Sequence, residues 1–252
     1  MTERTELLIG GDNLDKLRQA CVMVAGLGGV GAFAAEAIVR AGVGRVVMFD
    51  GDTVSVSNIN RQLIALRSTV GQSKSEVMYG RLKDINPDCD IVAINEYVRD
   101  ERMKDLLTEY KPDWVVDAID TLSPKVYLLA HCYRMGIKTV SSMGSGGKLN
   151  PSLIQVTDIS QTYQCPLAHH IRKMLHKQGI YEGIAAVFSP EKVRDNCVKE
   201  EFSENKRTAI GTVSYMPAVF GLTAASVVIR ELIGEQSYKR VKDTKYYQNK
   251  KI

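Results

Sequence analysis

No two of the five cysteines stand in a C-x-x-C pair; Cys21, Cys89, Cys132, Cys165 and Cys197 are scattered along the chain. That spacing argues against a cysteine-rich zinc site, and the odd count argues against a closed disulfide framework. Both absences fit a reducing, cytoplasmic setting. The opening stretch MTERTELLIGGDN has no apolar core ahead of its charges, so it does not read as a secretory signal. There is no internal repeat and no clear composition break. The 252 residues are therefore read as a single domain, with a core over about residues 5–235 and a basic tail over 236–252. From 238 on, the sequence YKRVKDTKYYQNKKI is expected to be frayed or weakly ordered.

A strong charge of either sign is also missing. Lys and Arg number 33 against 29 Asp and Glu, a net charge of +4. This mild basicity is compatible with a nucleic-acid partner without demanding one. One uncharged run is long enough to span a bilayer, AIGTVSYMPAVFGLTAASVVI over 209–229. Its Pro217, its two glycines and its several Ser and Thr favour a turn followed by a buried helix. Stable membrane insertion is not expected.

The apolar segments that are present follow an alternating order. CVMVAG (21–26) and RVVMFD (45–50) flank a glycine turn and the alanine-rich AFAAEAIVRA, which predicts β-α-β. IVAINEY, WVVDAID and KTVSSMG continue as strands, with helices predicted over 74–85, 102–109 and 123–135. Pro124 suits the first turn of the last of these. Such alternation predicts an α/β fold with a Rossmann-like, mainly parallel sheet and helices on both faces. After Gly147 the rhythm changes. LIQVTDI and IAAVFS read as late strands, added antiparallel, with a helix over 166–177 between them. An irregular polar segment over 190–207 leads to the final helix.

The glycines of GLGGVG, Gly26, Gly28, Gly29 and Gly31, lie between the first strand and its helix. There, backbone N–H groups and the helix N-terminus favour phosphate. Asp50, at the end of the second strand, suits the ribose hydroxyls. Asp52 lies two positions on in the same FDGD stretch. These residues predict a nucleotide site but leave NAD, FAD and ATP equally open. Arg61 in VSVSNINRQ and Lys74 in GQSKSEVM tilt the choice, because a site that displaces pyrophosphate needs cations for the charge that builds on phosphoryl oxygens. Asp120 ends the fourth strand at the crevice edge, either as a Mg²⁺ ligand or as the cap of the next helix. Asp117 faces the same choice. Asn58 either touches phosphate or ribose or builds its loop.

Taken in order, GLGGVG, FDGD, SNINRQ, GQSK and DAID resemble the E1-like superfamily of adenylating enzymes, which includes the ubiquitin-activating, MoeB and ThiF types. The resemblance implies ATP phosphates on the Gly26–Gly31 loop, ribose on Asp50, phosphate contacts from Arg61 and Lys74, and Mg²⁺ on Asp120. Arg18, just before the first strand, matches an arginine that reaches the partner subunit's ATP, which implies a homodimer. Within the superfamily the chain is similar to the tRNA threonylcarbamoyladenosine dehydratases through NINRQLIALRSTVGQSKSEVM, INPDC, DAIDTLSPK, GSGGKLNPSLIQVTDIS, QTYQCPLAHHIRK and VFSPE. MoeB and ThiF types carry two C-x-x-C pairs for zinc, which this chain lacks. Some dehydratases carry a cysteine just before the final apolar helix. Here ENKRTAIGTVSYM has none, and only Cys165 and Cys197 stand as candidates by position.

The resemblance implies that ATP activates the threonyl carboxylate of N6-threonylcarbamoyladenosine in tRNA, and that the carbamoyl nitrogen then closes a ring with net loss of water. Basic residues that could meet tRNA are Arg172, Lys173, His176 and Lys177 on one helix, Lys192 and Arg194, and Lys206 and Arg207. His169 and His170 are candidates for proton transfer or for plain surface roles. A cysteine desulfurase or sulfur acceptor is a candidate partner. The alternatives are adenylation of a ubiquitin-like sulfur carrier's C-terminus, a nicotinamide oxidoreductase, and a nucleotide-sensing module.

Overall fold

The computed structural model describes residues 1–194, 197–203 and 206–241, with the backbone alone over 199–203 and 206–209. Two short helices come first, α1 (Glu3–Ile9) and α2 (Gly11–Gln19), hinged at Gly10. No helix is expected here from the sequence pattern. α1 buries none of its residues, and α2 offers only Leu14 and Leu17 to the core, too few apolar positions for a periodic signal.

The β-α-β unit follows as predicted: β1 (Cys21–Ala25), α3 (Gly31–Ala41) and β2 (Arg45–Phe49). α3 stops where Gly42 takes φ 100° and its N–H caps the carbonyls of Ile38 and Val39. After a long loop come α4 (Lys74–Ile85), β3 (Asp90–Ile94), α5 (Asp100–Tyr110) and β4 (Trp114–Asp117). Then follow α6 (Leu122–Met135), β5 (Lys138–Ser142), β6 (Gln155–Asp158), α7 (Pro166–His176) and β7 (Ala185–Phe188).

The seven strands form one sheet in the order β3-β2-β1-β4-β5-β7-β6. All neighbours are parallel except β6, which runs antiparallel to β7. Strands are added outward in opposite directions from β1 and from β4, and such a switch point opens a crevice at the carboxyl ends of the strands.

Alternation along each strand divides the core. Val22, Val24, Val46 and Met48 face one layer with Ile38, Met78 and Phe220; Met23, Val47 and Val115 face the other with Met103, Leu106 and Leu128. A third cluster, including Val126, Leu129, Ile171, Leu175 and Phe188, fills the space between α6, α7 and β7.

The segment read as irregular over 190–207 instead contains part of a two-stranded hairpin, β8 (Val198–Ser203) with β9 (Lys206–Ile210). Its sequences, VKEEFS and KRTAI, are charge-rich and lack the continuous apolar run that marks strands buried on both faces. The final helix, α8 (Tyr215–Leu232), is long and apolar enough to cross a membrane by length and composition. It buries Met216, Phe220, Ala224, Val227 and Val228 and packs on α3. Beyond it the expected fraying does not begin at once. Glu231 accepts from the Ser237 N–H and hydroxyl and pairs with Arg240 at 2.8 Å, and Val241 is buried. The rest of the basic tail, 242–252, lies outside the described residues.

α8 approaches α3 closely because Gly221 has no side chain: a Cβ there would stand 2.2 Å from the Val30 carbonyl oxygen. Overpacking of this kind costs about 1–3 kcal/mol. Gly221→Ala is expected to lower the thermal midpoint by several degrees, whereas Gly80→Ala, whose Cβ meets nothing within 4 Å, leaves it level or raises it. Calorimetric melting of both variants checks this.

Candidate functional site

The crevice is built around the turn after β1. Gly26 takes φ +86°, and its N–H donates to the Phe49 carbonyl at 2.9 Å. Gly31 opens α3 directly over Gly26; a Cβ on Gly31 would lie 1.8 Å from the Gly26 carbonyl oxygen. Only glycine fits there. Among the described residues, no partner takes the N–H groups of Gly28, Gly29 or Val30. They lie at the positive end of an eleven-residue helix, a cradle suited to an anion.

Asp50 leaves the end of β2 and reaches this turn. Its Oδ2 accepts the Leu27 N–H at 2.6 Å, and its Oδ1 accepts the Asp52 N–H at 2.8 Å. Burial pushes the Asp50 carboxyl above the ordinary aspartate range, while the Lys74 charge and the two amides pull it back.

Lys74 arrives because two loop segments zip together. Thr53 and Ser73 form an antiparallel bridge, Lys74 N–H donates to the Asp52 carbonyl at 3.1 Å, and Val54 N–H donates to the Gln72 carbonyl at 2.9 Å. Ser73 caps α4, so Lys74 is its first residue. The Lys74 side chain is 4% exposed as a residue, and its Nζ lies 2.6 Å from Asp52 Oδ2. The Tyr97 hydroxyl donates to the other oxygen of Asp52 at 2.6 Å. Nothing in the sequence pattern pointed to Tyr97.

The SNINRQ segment forms the opposite rim. Asn58 is buried, and its Oδ1 accepts the Ser55 N–H at 3.1 Å, so the structure gives it a loop-building role. Arg61 folds over its own turn, donating to the Ser57 carbonyl and Asn60 Oδ1, both at 2.8 Å. The sequence pattern gives Gln62 no task of its own. Among the described residues its Oε1 is buried without a partner, and its Nε2 lies 3.7 Å from where a Cβ of Gly28 would stand.

On the β4 side, the Ala118 carbonyl packs 3.1 Å from the Cβ position of Gly26. Asp120 is exposed at the end of this loop. Thr121, not Asp120, stands at the N-cap position of α6, and it makes no side-chain cap bond. Asp117 is fully buried and ion-paired with Lys125 at 2.7 Å, which removes it from the crevice.

Arg18 is not brought to this chain's own crevice. It lies near the end of α2, before β1, where its carbonyl packs against Gly44 ahead of β2; the glycine turn is at the other end of β1. Its guanidinium pairs with Asp15 at 2.9 Å. A residue just ahead of β1 stands at the strand's N-terminal end, opposite the glycine turn at its carboxyl end.

The segments beyond β5 also converge here. Lys148 is 2% exposed, and its Nζ donates to the carbonyls of Ser189 and Glu191 at 3.0 and 2.5 Å. The Glu191 carboxylate accepts the N–H groups of Leu149 and Asn150. These bonds tie GSGGK to VFSPE. Leu167 packs 3.8 Å from the Cβ position of Gly144, which sets the first turn of α7 beside that loop, with His169 and His170 exposed on it.

The remaining basic candidates divide. Arg172 is committed to the Thr162 carbonyl and hydroxyl, whereas Lys173, His176 and Lys177 are exposed toward the far end of α7. Lys192 and Arg194 are exposed, and the side chains of Lys206 and Arg207 lie outside what is described. Cys165 is 5% exposed at the head of α7; Cys197 is part-exposed, and its Sγ donates to the Arg194 carbonyl at 2.9 Å.

This donor set fits a nucleotide and its metal. The amide cradle and Lys74 suit phosphates, and Asp50 suits hydroxyl donors. Among the described residues, no group of three or more His, Cys, Asp or Glu could hold a metal ion by itself. Mg²⁺ is commonly held by one or two carboxylates together with substrate phosphates and water, and the exposed Asp120 fits that pattern.

Comparison with known proteins agrees with the geometry. The tRNA threonylcarbamoyladenosine dehydratase of Bacillus subtilis (strain 168) is 39% identical over 248 residues, spanning 95% of this chain and 97% of that protein. The Escherichia coli (strain K12) protein of the same name is 34% identical over 249 residues, 92% of each chain. A crystal structure of the E. coli dehydratase in complex with ATP superposes with a TM-score of 0.83 at 34% identity, covering 92% of this chain and 93% of that one. The family model described as the ThiF family matches residues 3–252, and with the sheet order and nucleotide crevice described above this places the chain in the ThiF family.

Proposed function

We propose that this chain is an ATP-dependent tRNA threonylcarbamoyladenosine dehydratase, which adenylates the threonyl carboxylate of N6-threonylcarbamoyladenosine and lets the carbamoyl nitrogen close the ring. The observation that carries this reading is the crevice at the β1/β4 switch point, where amides with no partner among the described residues, Asp50 and Lys74 meet in a chain 39% identical to a dehydratase over nearly its whole length. Attack of the carboxylate oxygen on the α-phosphorus expels pyrophosphate. The tethered nitrogen then attacks the acyl carbon, and AMP leaves with one of the original carboxylate oxygens. Tethering supplies a high effective molarity, so the protein has mainly to activate the acid and hold the geometry.

Each residue has a physical task. The N–H groups of Gly28, Gly29 and Val30 receive phosphate oxygens, with Gly26 and Gly31 shaping the turn. Asp50 accepts from the ribose hydroxyls. Lys74 exchanges its Asp52 partner for phosphate, and Arg61 turns from its own loop to the same charge. Asp120 would hold Mg²⁺, which neutralises phosphate charge when bound. Asn58 supports the rim. Arg18, at the other end of β1, is assigned to a partner subunit's site in a homodimer. All five cysteines are free thiols, in keeping with the cytoplasm.

tRNA is proposed to approach over the first turn of α7, where His169 and His170 stand beside the GSGGK loop. The sulfur-carrier alternative shares the nucleotide residues, but this chain has no C-x-x-C pairs, and the tied 148–191 region matches the dehydratase group.

Three outcomes test the reading. With Mg-ATP, the protein should release AMP and pyrophosphate only when tRNA carrying threonylcarbamoyladenosine is present; release with a carrier protein's Gly-Gly tail and not with that tRNA would overturn it. Lys74→Ala should slow turnover about 10²–10³-fold, as loss of a preorganised charge-stabilising donor does, measured by single-turnover AMP release. The third concerns pH. Adenosine affinity should fall on acidification, as Asp50 protonates and no longer accepts two hydroxyls, and burial should set that fall above the ordinary aspartate range. Lys74→Met removes the charge that lowers the Asp50 pKa, so the fall should move to higher pH; Asp50→Asn should abolish it.

A further inference from the structure

Lys125 is among the largest fully buried side chains in the described structure, and it is charged. Its Nζ lies 2.7 Å from Asp117 Oδ2, and both residues are 0% exposed. Replacing a buried ion pair with apolar groups of similar volume is often neutral or stabilising, so packing alone gives little reason for this one. The remaining bonds supply a reason. Asp117 Oδ1 accepts the Ile119 N–H at 3.1 Å, and Lys125 Nζ donates to the Ile119 carbonyl at 3.0 Å. The two halves of the ion pair therefore grip the N–H and the C=O of the same residue. The Ser141 hydroxyl, from β5, donates to Asp117 Oδ2 at 2.6 Å and fixes the carboxylate from behind.

Ile119 sits between two parts of the crevice. Before it, the Ala118 N–H donates to the Ala25 carbonyl at 2.9 Å, and the Ala118 carbonyl packs against Gly26. After it comes Asp120. A short loop fixed at Ala118 and gripped at Ile119 has little freedom left for its next residue.

We propose that the Asp117–Lys125 pair, braced by Ser141, is a positioning clamp that sets Asp120 for Mg-ATP. The inference rests on the proposed metal role of Asp120. Lys125 touches neither nucleotide nor substrate; it acts through the Ile119 peptide. Groups that orient a metal-binding residue typically govern metal affinity by about 10–100-fold.

The test uses the neutral pair, Asp117→Asn with Lys125→Met in one chain, so that no uncompensated charge is buried. Melting is recorded first. Calorimetric titration then compares adenosine, ATP in EDTA, and ATP with Mg²⁺. The clamp predicts a folded protein whose adenosine affinity stays within about twofold, while Mg-ATP affinity falls about tenfold and the Mg²⁺ concentration for half-maximal binding rises to match. A folded double variant with wild-type Mg²⁺ dependence would overturn the clamp.

Asp120→Asn, titrated in parallel, separates the two ideas. If it leaves Mg²⁺ dependence unchanged, the metal role of Asp120 fails, and the clamp with it. If it alone shifts that dependence, only the clamp fails. Should the double variant not fold, Ser141→Ala, which keeps the ion pair and removes its brace, decides the matter. A weakening of Mg-ATP binding with adenosine affinity preserved supports the clamp, and no change contradicts it.

Discussion

The missing side chain at Gly31 is the constraint on which the site depends. Because nothing projects from its Cα, α3 starts directly on the Gly26 carbonyl, where a Cβ would overlap at 1.8 Å. That start aims the first amides of the helix into the crevice and leaves the N–H groups of Gly28, Gly29 and Val30 without partners among the described residues. It also sets the axis of α3, on which α8 lies at the Gly221 contact, and α8 in turn brings Pro217 against Gly29. Removing the close contact at Gly31 would disturb the anion cradle and the packing of the last helix together.

Charge organises what stands around that cradle. Asp50, Asp52 and Lys74 form a compact charged group: burial raises the Asp50 pKa, and the Lys74 side chain, 2.6 Å from Asp52, offsets part of that rise. A buried cation paired with a half-exposed carboxylate can change partners when phosphate arrives, since phosphate offers charge and acceptors of the same kind. The β4 side works differently. There the ion pair of Asp117 and Lys125 is wholly enclosed and serves the backbone of Ile119. In the proposed mechanism one pair responds to ligand and the other resists it.

Much of this was legible in the sequence. Strands buried on both faces, such as CVMVA and WVVD, read as unbroken apolar runs, and the parallel order followed from their alternation with helices. Asp50 and Lys74 could be named because their places follow from strand ends and a helix start. α1 and α2 were missed because one buries nothing and the other only two residues; the β8–β9 hairpin was missed because a ribbon rich in Lys and Glu carries no apolar run. Lys125 could not be assigned a task from sequence, since a lysine in LSPKVYLL looks like a helix surface until the fold encloses it. Arg18 is a different case: the fold sets it at the end of β1 away from this chain's own crevice, which leaves only a partner subunit's site for the role the resemblance implied.

The central claim is that the threonyl carboxylate is activated on AMP over this glycine turn, and an isotope decides it most directly. tRNA bearing threonylcarbamoyladenosine labelled with ¹⁸O in the threonyl carboxylate is incubated with the protein and Mg-ATP, and the products are resolved by mass spectrometry. The account predicts a cyclised nucleoside lighter by one water relative to its precursor, and AMP carrying one ¹⁸O. Label in orthophosphate or water, with unlabelled AMP, would contradict it.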